Sequence, residues 1–572
     1  MRNIITNDLD KCIGCNRCVR VCPIYEANFT WSDGKGNLKV RIENSKCVAC
    51  GSCLEACHHG SRHYEDDTER FFKDLRAGVP ISVFAAPAVK SNFDDYERLF
   101  EWLRSLGVRT IYDVSLGADI CTWAHIRYIQ KNGPKPIISQ PCPAIVNYIL
   151  IHRNGLIKYL SPVHSPMLCT AVYMSKYEKV GTKIAALSPC VAKSYEFEAT
   201  NLVEYNVTFK KLNEYMQNNH VMQPSKRSGF DNYEAGLGSL YPMPGGLKES
   251  VEYYAGKQFR VDKSEGPHTV YKMIGEYARA PVEKLPVLFD VLNCQEGCNA
   301  GTGCVKKHDA FFEISTKMDA LRQTAIKENH RQYIDDLFKK FDETLKLDDF
   351  IRHYVPTPAP SIRITPDKIE RAFIALGKYD KESRDFSCGA CGCDNCLDMA
   401  WQVAKGINIP ENCAKKMHDE VTKEHDEAKD LSKNNLSSFE TILGETSNIK
   451  DMMGGIVSNM ENITSAISSY DKMVTDIERI SEKVNIIALN ASVEAAKAGQ
   501  HGLAFGVVAK EIRNLAQSSA NSAMQTKEAS EKANYAIKTV NKTVMEINNT
   551  VKDSYENIAA ASESTRKLLQ KQ

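Results

Sequence analysis

After Pro410 the chain has no further proline and no tryptophan, and after Cys413 it has no further cysteine. Without proline nothing obliges a helix to stop, so very long helices are permitted there. No run of about 18 apolar residues occurs anywhere, which excludes a membrane-spanning helix on sequence grounds. Net charge is also nearly missing. Lys and Arg number 73 against 72 Asp and Glu, a balance of +1, so no overall field draws in nucleic acid or an anionic membrane. The opening stretch MRNIITNDLDKC has no apolar core of the kind a secretory signal carries, and a cytoplasmic location is expected. At 572 residues the chain is too long for one hydrophobic core. Against these absences stand 20 cysteines. A reducing compartment would not keep them as disulfides, so they are expected to be metal ligands.

Four regions separate by composition. Residues 1–75 hold two copies of one cysteine pattern. Over 76–350 apolar runs such as ISVFAAPAV, KIAALSPC and PVLFDVLNC alternate with charged helical stretches, which predicts an α/β domain with cysteines at strand ends. Residues 351–415 begin with the Pro-rich connector YVPTPAPSIRITP and end in a compact cysteine cluster. Over 416–572, Ile456, Met460, Ile463, Ile467, Tyr470, Val474 and Ile477 are separated by alternating steps of four and three. Ile537, Val540, Val544, Ile547 and Val551 keep the same rhythm. That repeat predicts a coiled coil. Gly499 and Gly502 stand between two arms of roughly 100 Å at 1.5 Å per residue, where an antiparallel hairpin would reverse.

Cys12, Cys15, Cys18 and Cys22 follow C-x2-C-x2-C-x3-C, and Cys47, Cys50, Cys53 and Cys57 repeat it. Three thiolates of one loop cap three corners of a cubane, with the fourth from the other repeat. One 4Fe-4S cluster is therefore expected on Cys12, Cys15, Cys18 and Cys57, and another on Cys47, Cys50, Cys53 and Cys22. Zinc sites pair cysteines two by two, a different spacing. The segment resembles a bacterial two-cluster ferredoxin of α+β fold, which implies electron transfer. Cys388, Cys391, Cys396 and Cys413 resemble a small four-cysteine cluster domain, with Cys393 a spare thiol. Zinc remains open for that set.

In the central region Cys142 lies in SQPCPA, Cys190 in LSPCVAKSYE, and Cys294 and Cys298 in VLNCQEGC. Together with FAAPAV, LGAD, LSPVHSPM and GSLYPMPGG, from about Ile81 to Lys307, these segments resemble the FeFe hydrogenases. The resemblance implies an H-cluster: a 4Fe-4S cubane on Cys142, Cys190, Cys294 and Cys298, joined through Cys298 to a diiron unit carrying CO, cyanide and a bridging dithiolate amine. It implies that Lys193 donates a hydrogen bond to a cyanide, a fitting donor for a buried anion. Three further 4Fe-4S clusters complete the expected inventory. The chain also departs from catalytic members. Pro141 replaces a proton-relaying cysteine, Ser188 and Leu292 replace methionines, and ICTWAHIRY lacks the family's acidic pair, whereas Glu196 matches an acidic position. Proton delivery is needed on every turnover, so slow chemistry is expected.

Residues 485–515 resemble the hairpin tip of methyl-accepting chemotaxis proteins, with Asn490, Glu494 and Lys497 at positions that contact a kinase or adaptor. Glu482 stands where many receptors carry an aromatic residue. The combined expectation is a cytoplasmic hydrogen sensor. It would run slow, reversible H2 chemistry (2 H+ + 2 e− = H2), pass electrons through 4Fe-4S clusters, and control a receptor-like hairpin. Two alternatives stand beside it: a true catalytic hydrogenase that uses the hairpin for assembly, and a cubane-only redox or oxygen sensor. Expected partners are H2 and protons, a second copy through the coiled coil, a chemotaxis-type histidine kinase or adaptor, and hydrogenase maturation proteins. Nucleic acid and membrane insertion are not expected.

Overall fold

A computed structural model describes residues 3–571 except 34–36, 233–235, 307–309, 327 and 361–362. Lys307, Gln572 and residues Ser361 and Ile362 of the connector lie outside the described residues. The chain divides into two compact units, Met1–Met417 and His418–Gln572.

In the first unit the apolar runs form parallel strands. Ile111–Asp113, Ile81–Ala85, Lys183–Ser188 and Tyr205–Thr208 make a four-stranded sheet in that spatial order, every pair parallel. Val261–Glu265, Leu288–Leu292 and Ile137–Ile138 make a second, three-stranded parallel sheet. Parallel strands are covered on both faces and so read as continuous apolar runs. Ile81, Val83, Phe84, Leu187, Tyr205 and Val207 are accordingly buried in one core. The N-terminal segment pairs Ile5–Asn7 with Arg62–Tyr64 and Asn28–Ser32 with Leu38–Ile42, both antiparallel. Ile4, Ile5, Val19 and Val48 share a core with Ile145, Ile149, Phe289 and Val291 of the second sheet and its flanking helix. The ferredoxin-like segment is thus built into the unit. Gly51 makes this docking possible. Its φ is +84°, and a Cβ there would stand 2.1 Å from the Thr302 side chain.

The second unit is two long helices, Ala414–Lys497 and Leu503–Lys571, joined by a 3-10 turn at Gly499–Gly502. The first of them starts in the residue after Cys413, and it runs through Gly444, Gly454 and Gly455 without a break. A lone glycine costs a helix about 1 kcal/mol, which packing offsets, whereas a proline would stop it. The arms run antiparallel. Ser530 Oγ donates to Asp471 at 2.5 Å, and Arg566 pairs with Glu440 at 3.4 Å. Apart from Ser562, the buried positions keep a seven-residue register: Thr446, Met453, Val474, Ser481 and Ala488 on one arm, and Ala509, Ala516, Ala523, Ser530, Ile537 and Val544 on the other. At Gly502 a Cβ would meet the Ala495 carbonyl oxygen at 2.1 Å, so the reversal needs glycine there. Among the described residues no helix is long and apolar enough to cross a membrane.

Candidate functional site

Three strand-to-helix junctions bring the central cysteines together. Cys142 follows the short strand Ile137–Ile138 and precedes Pro143–His152, whose first-turn proline is pre-set for a helix start. Cys190 follows Lys183–Ser188 and precedes Lys193–Thr200. Cys294 and Cys298 follow Leu288–Leu292. All three loops therefore leave the carboxyl ends of parallel strands, where open α/β sheets place their ligands. Cys142, Cys190, Cys294, Cys298 and Lys193 line one cavity. Pro141, Pro143, Pro166, Pro189, Met167 and Leu292 supply much of its apolar wall. The thiols stand around the space and do not meet at a point. Among the described residues no three Cys, His, Asp or Glu side chains converge to hold a single metal ion.

Burial raises the pKa of all four thiols, and the neighbouring thiols add to the rise at Cys190, Cys294 and Cys298. Cys190 is pushed up to about 12. A thiolate set of this kind needs bound positive charge, which iron supplies. The protein adds a smaller counter-charge. Lys193 Nζ donates to Glu196 at 2.5 Å and to Ser165 Oγ at 3.0 Å, and Arg352 reaches the other oxygen of Glu196 at 3.3 Å. Lys193 and Glu196 are buried, and Arg352 is nearly so. Two cations and one carboxylate leave one positive charge beside the cavity, an environment suited to an anionic ligand. The donor set and its electrostatics fit an iron–sulfur group.

The sequence-based candidates separate around this cavity. Pro141 and Leu292 are in its wall, whereas Ser188 is not. The Ser188 hydroxyl accepts from Cys190 N at 3.1 Å and so shapes the loop. Glu196 acts on the cavity only through Lys193. Arg352 was not a candidate, since it lies in what reads as a linker and no motif marks it. The buried group formed by Cys121, His125, Gln140, Ser161 and Cys169 behind the Pro141 loop was missed as well. Only the Cys121-x3-His125 spacing on one helix face gives it away in the sequence.

In the ferredoxin-like segment Cys22 neighbours Cys47, Cys50 and Cys53, while Cys18 neighbours Cys12 and Cys15. Arg62 donates to Cys18 Sγ at 3.1 Å. Cys57 closes the short helix Ser52–Ala56. This segment touches the cavity loops directly, because Asn293 Nδ2 donates to Cys50 O at 3.2 Å. The four-cysteine segment docks on its other side. Thr30 N donates to Ile407 O at 2.8 Å, Lys405 pairs with Glu26, and a Cβ at Gly392 would strike the Arg20 side chain. Cys388 is exposed, Cys391 half-buried, and Cys396 and Cys413 buried. Cys393 is buried too, 3.7 Å from Met399 Sδ and accepting from Gln402 Nε2 at 3.3 Å. At the hairpin tip Asn490, Glu494, Lys497 and Glu482 are exposed. Glu494 and Lys497 form a 3.0 Å surface pair.

Three family models match the chain. Residues 11–61 match a 4Fe-4S dicluster domain, 79–272 the C-terminal domain of the iron-only hydrogenase large subunit, and 451–571 the signalling domain of methyl-accepting chemotaxis proteins. Cys294, Cys298 and residues 388–413 lie outside these matches. A sensory transducer protein of Acetivibrio thermocellus is 48% identical over 79 residues, 14% of each chain. Methyl-accepting chemotaxis protein I of Escherichia coli is 41% identical over 80 residues, again 14% of each chain. The match thus spans about one seventh of these relatives. An FeFe-hydrogenase of Chlamydomonas reinhardtii covers 52% of this chain with all of its own, at 15% identity and a TM-score of 0.40. One polypeptide thus joins segments that match a 4Fe-4S dicluster domain, the C-terminal domain of the iron-only hydrogenase large subunit and a methyl-accepting chemotaxis signalling domain.

Proposed function

We propose that this protein is a cytoplasmic hydrogen sensor whose H2 chemistry is slow and whose output is the receptor-like hairpin. The observation that carries the reading is the meeting of Cys142, Cys190, Cys294, Cys298 and Lys193 on one cavity, in a chain that also carries a chemotaxis signalling domain. An H-cluster bound there would interconvert H2 with two protons and two electrons, and three further 4Fe-4S clusters would carry the electrons. The four thiolates would hold the cubane, with Cys298 as the bridge to the diiron unit. Lys193 would donate to an anionic ligand, oriented by Glu196 and Ser165. The wall of prolines with Met167 and Leu292 would offer water few hydrogen-bond partners. Pro141 has neither an ionisable group nor an N–H, so it cannot move a proton at that wall.

Eight cysteines at 12–57 and the set Cys388, Cys391, Cys396 and Cys413 would hold the remaining clusters. The Asn293–Cys50 contact and the Glu26–Lys405 contact favour a continuous path from cavity to four-cysteine segment. Since Ala414 opens the long helix immediately after Cys413, the redox state of that segment would bias the hairpin. Proposed partners are a second copy along the hairpin, a chemotaxis-type histidine kinase or adaptor at the tip, and the maturation proteins that load the diiron unit. Hydrogen evolution by the matured protein from a reduced viologen tests the sensory reading. A rate far below those of catalytic hydrogenases is expected, and a comparable rate would favour the catalytic alternative.

A further inference from the structure

Arg62 opens the strand Arg62–Tyr64, which pairs with Ile5–Asn7. Its guanidinium is buried, a costly place for a charge without an anionic partner. Nη2 donates to Cys18 Sγ at 3.1 Å and to Asn28 Oδ1 at 2.8 Å. Nη1 is just as hidden from solvent, and it has no hydrogen-bond partner among the described residues. A guanidinium keeps its proton in proteins, so these orphaned N–H groups call for an anion. The sulfurs of a thiolate-bound 4Fe-4S cluster fit that need. A second cation stands on the same cysteine loop. Lys39 Nζ donates to Leu9 O at 3.0 Å and to Cys12 O at 2.7 Å. The other set of thiols has neutral partners. Cys47 Sγ accepts from Ala49 N at 3.4 Å, Cys50 Sγ lies 3.6 Å from Ser52 Oγ, and Cys22 Sγ donates to Ile24 O at 3.0 Å. Lys46, beside Cys47, is paired with Glu26 at 2.8 Å. Arg62 acts on Cys53 of this set through space, without a hydrogen bond.

We propose, on the basis of the two-cluster assignment above, that Arg62 raises the reduction potential of the cluster on Cys12, Cys15, Cys18 and Cys57 above that of its neighbour on Cys47, Cys50, Cys53 and Cys22, making it the electron sink of the segment. One-electron reduction adds a negative charge to a cluster that its thiolates already make anionic. A cation hydrogen-bonded to a ligand sulfur favours the reduced form and so raises the potential. Exposure of Cys15 to solvent acts in the same direction. Because Asn293 Nδ2 donates to Cys50 O, the second set is the one in contact with the cavity loops. An electron leaving the cavity would meet the lower-potential cluster first and settle on the Arg62 side.

The test uses the full chain, reconstituted anaerobically with iron and sulfide. Electron paramagnetic resonance follows the reduced clusters as dithionite lowers the potential. Cys15→Ser identifies the signal of the first set, and Cys47→Ser that of the second. In the wild type the first set should reduce at the higher potential. Arg62→Gln should make its reduction at least tenfold less favourable, about 59 mV for a one-electron couple, with iron content unchanged. The second set should move less. Arg62→Lys, which keeps the charge and loses the planar fork, should fall between wild type and Arg62→Gln. An unshifted potential in iron-loaded Arg62→Gln, or an equal shift at both sets, would overturn the role of Arg62. Where that variant takes up no iron, the wild-type order decides, and a first set at or below the second would overturn the role as well. Iron content left unchanged by replacing Cys12, Cys15 and Cys18 together with alanine would instead defeat the cluster assignment itself.

Discussion

At position 141 the cavity wall carries a proline next to Cys142. If proton delivery there limits turnover, Pro141→Cys should raise hydrogen evolution with an artificial donor about tenfold, or about 1.4 kcal/mol off the barrier. An unchanged rate in a folded, fully loaded variant would move the limitation to electron transfer. A second residue-level expectation concerns His164. Burial, with Arg352 adding to it, pushes its pKa down from 6.5 to about 4. Between those values the unfolded chain binds a proton that the folded chain refuses. The residue's contribution is therefore complete above pH 6.5 and is lost as pH falls to about 4, a change of about 3 kcal/mol. All four tryptophans precede His418, so the urea midpoint of tryptophan emission reports on the first unit alone. His164→Gln should flatten its decline over that pH range. An unaltered slope would show that His164 is free to protonate in the folded protein.

Among the elements, the strand-to-helix junctions were legible because buried parallel strands are continuous apolar runs and cysteine is rare. The buried charge cluster was not. Arg352 lies 156 residues from the Glu196 it meets, and no local pattern encodes such a pairing. The coiled coil was legible in its period and only half so in its burial. Val474, Ile537 and Val544 face the partner arm, whereas Ile449, Ile456, Ile463, Tyr470 and Ile477 remain 37% to 58% exposed. One hairpin buries one row of a seam, and the spacing alone does not say which row. The docking of the ferredoxin-like segment depends on Gly51, and a control separates contact from backbone conformation. Gly60 has a comparable φ of +63° with nothing within 4 Å. Gly51→Ala should lower the urea midpoint of tryptophan emission clearly more than Gly60→Ala, since both carry the backbone strain, about 1 kcal/mol, and only the first meets Thr302. Equal effects would contradict the close packing of Gly51 on Thr302.

For the whole molecule, the exposed row at seven-residue intervals is an apolar stripe that a second hairpin would cover as a four-helix bundle. Light scattering of the full chain at micromolar concentration should give the mass of a homodimer, and a monomer would contradict the stripe's proposed role. Glu494→Lys should weaken binding to a chemotaxis-type kinase or adaptor and leave dimerisation intact. The lost pair with Lys497 is surface-exposed and contributes only about 0–1 kcal/mol. Weakened dimerisation in that variant would assign the tip to the copy-to-copy interface. The proposed function stands or falls on whether the cavity binds an H-cluster that responds to hydrogen. An infrared spectrum of the matured, iron-loaded protein, recorded under inert gas and then under hydrogen, tests it most directly. CO and cyanide bands that shift reversibly when hydrogen is admitted are expected. An iron-loaded sample without such bands, or with bands that do not respond to hydrogen, would contradict it.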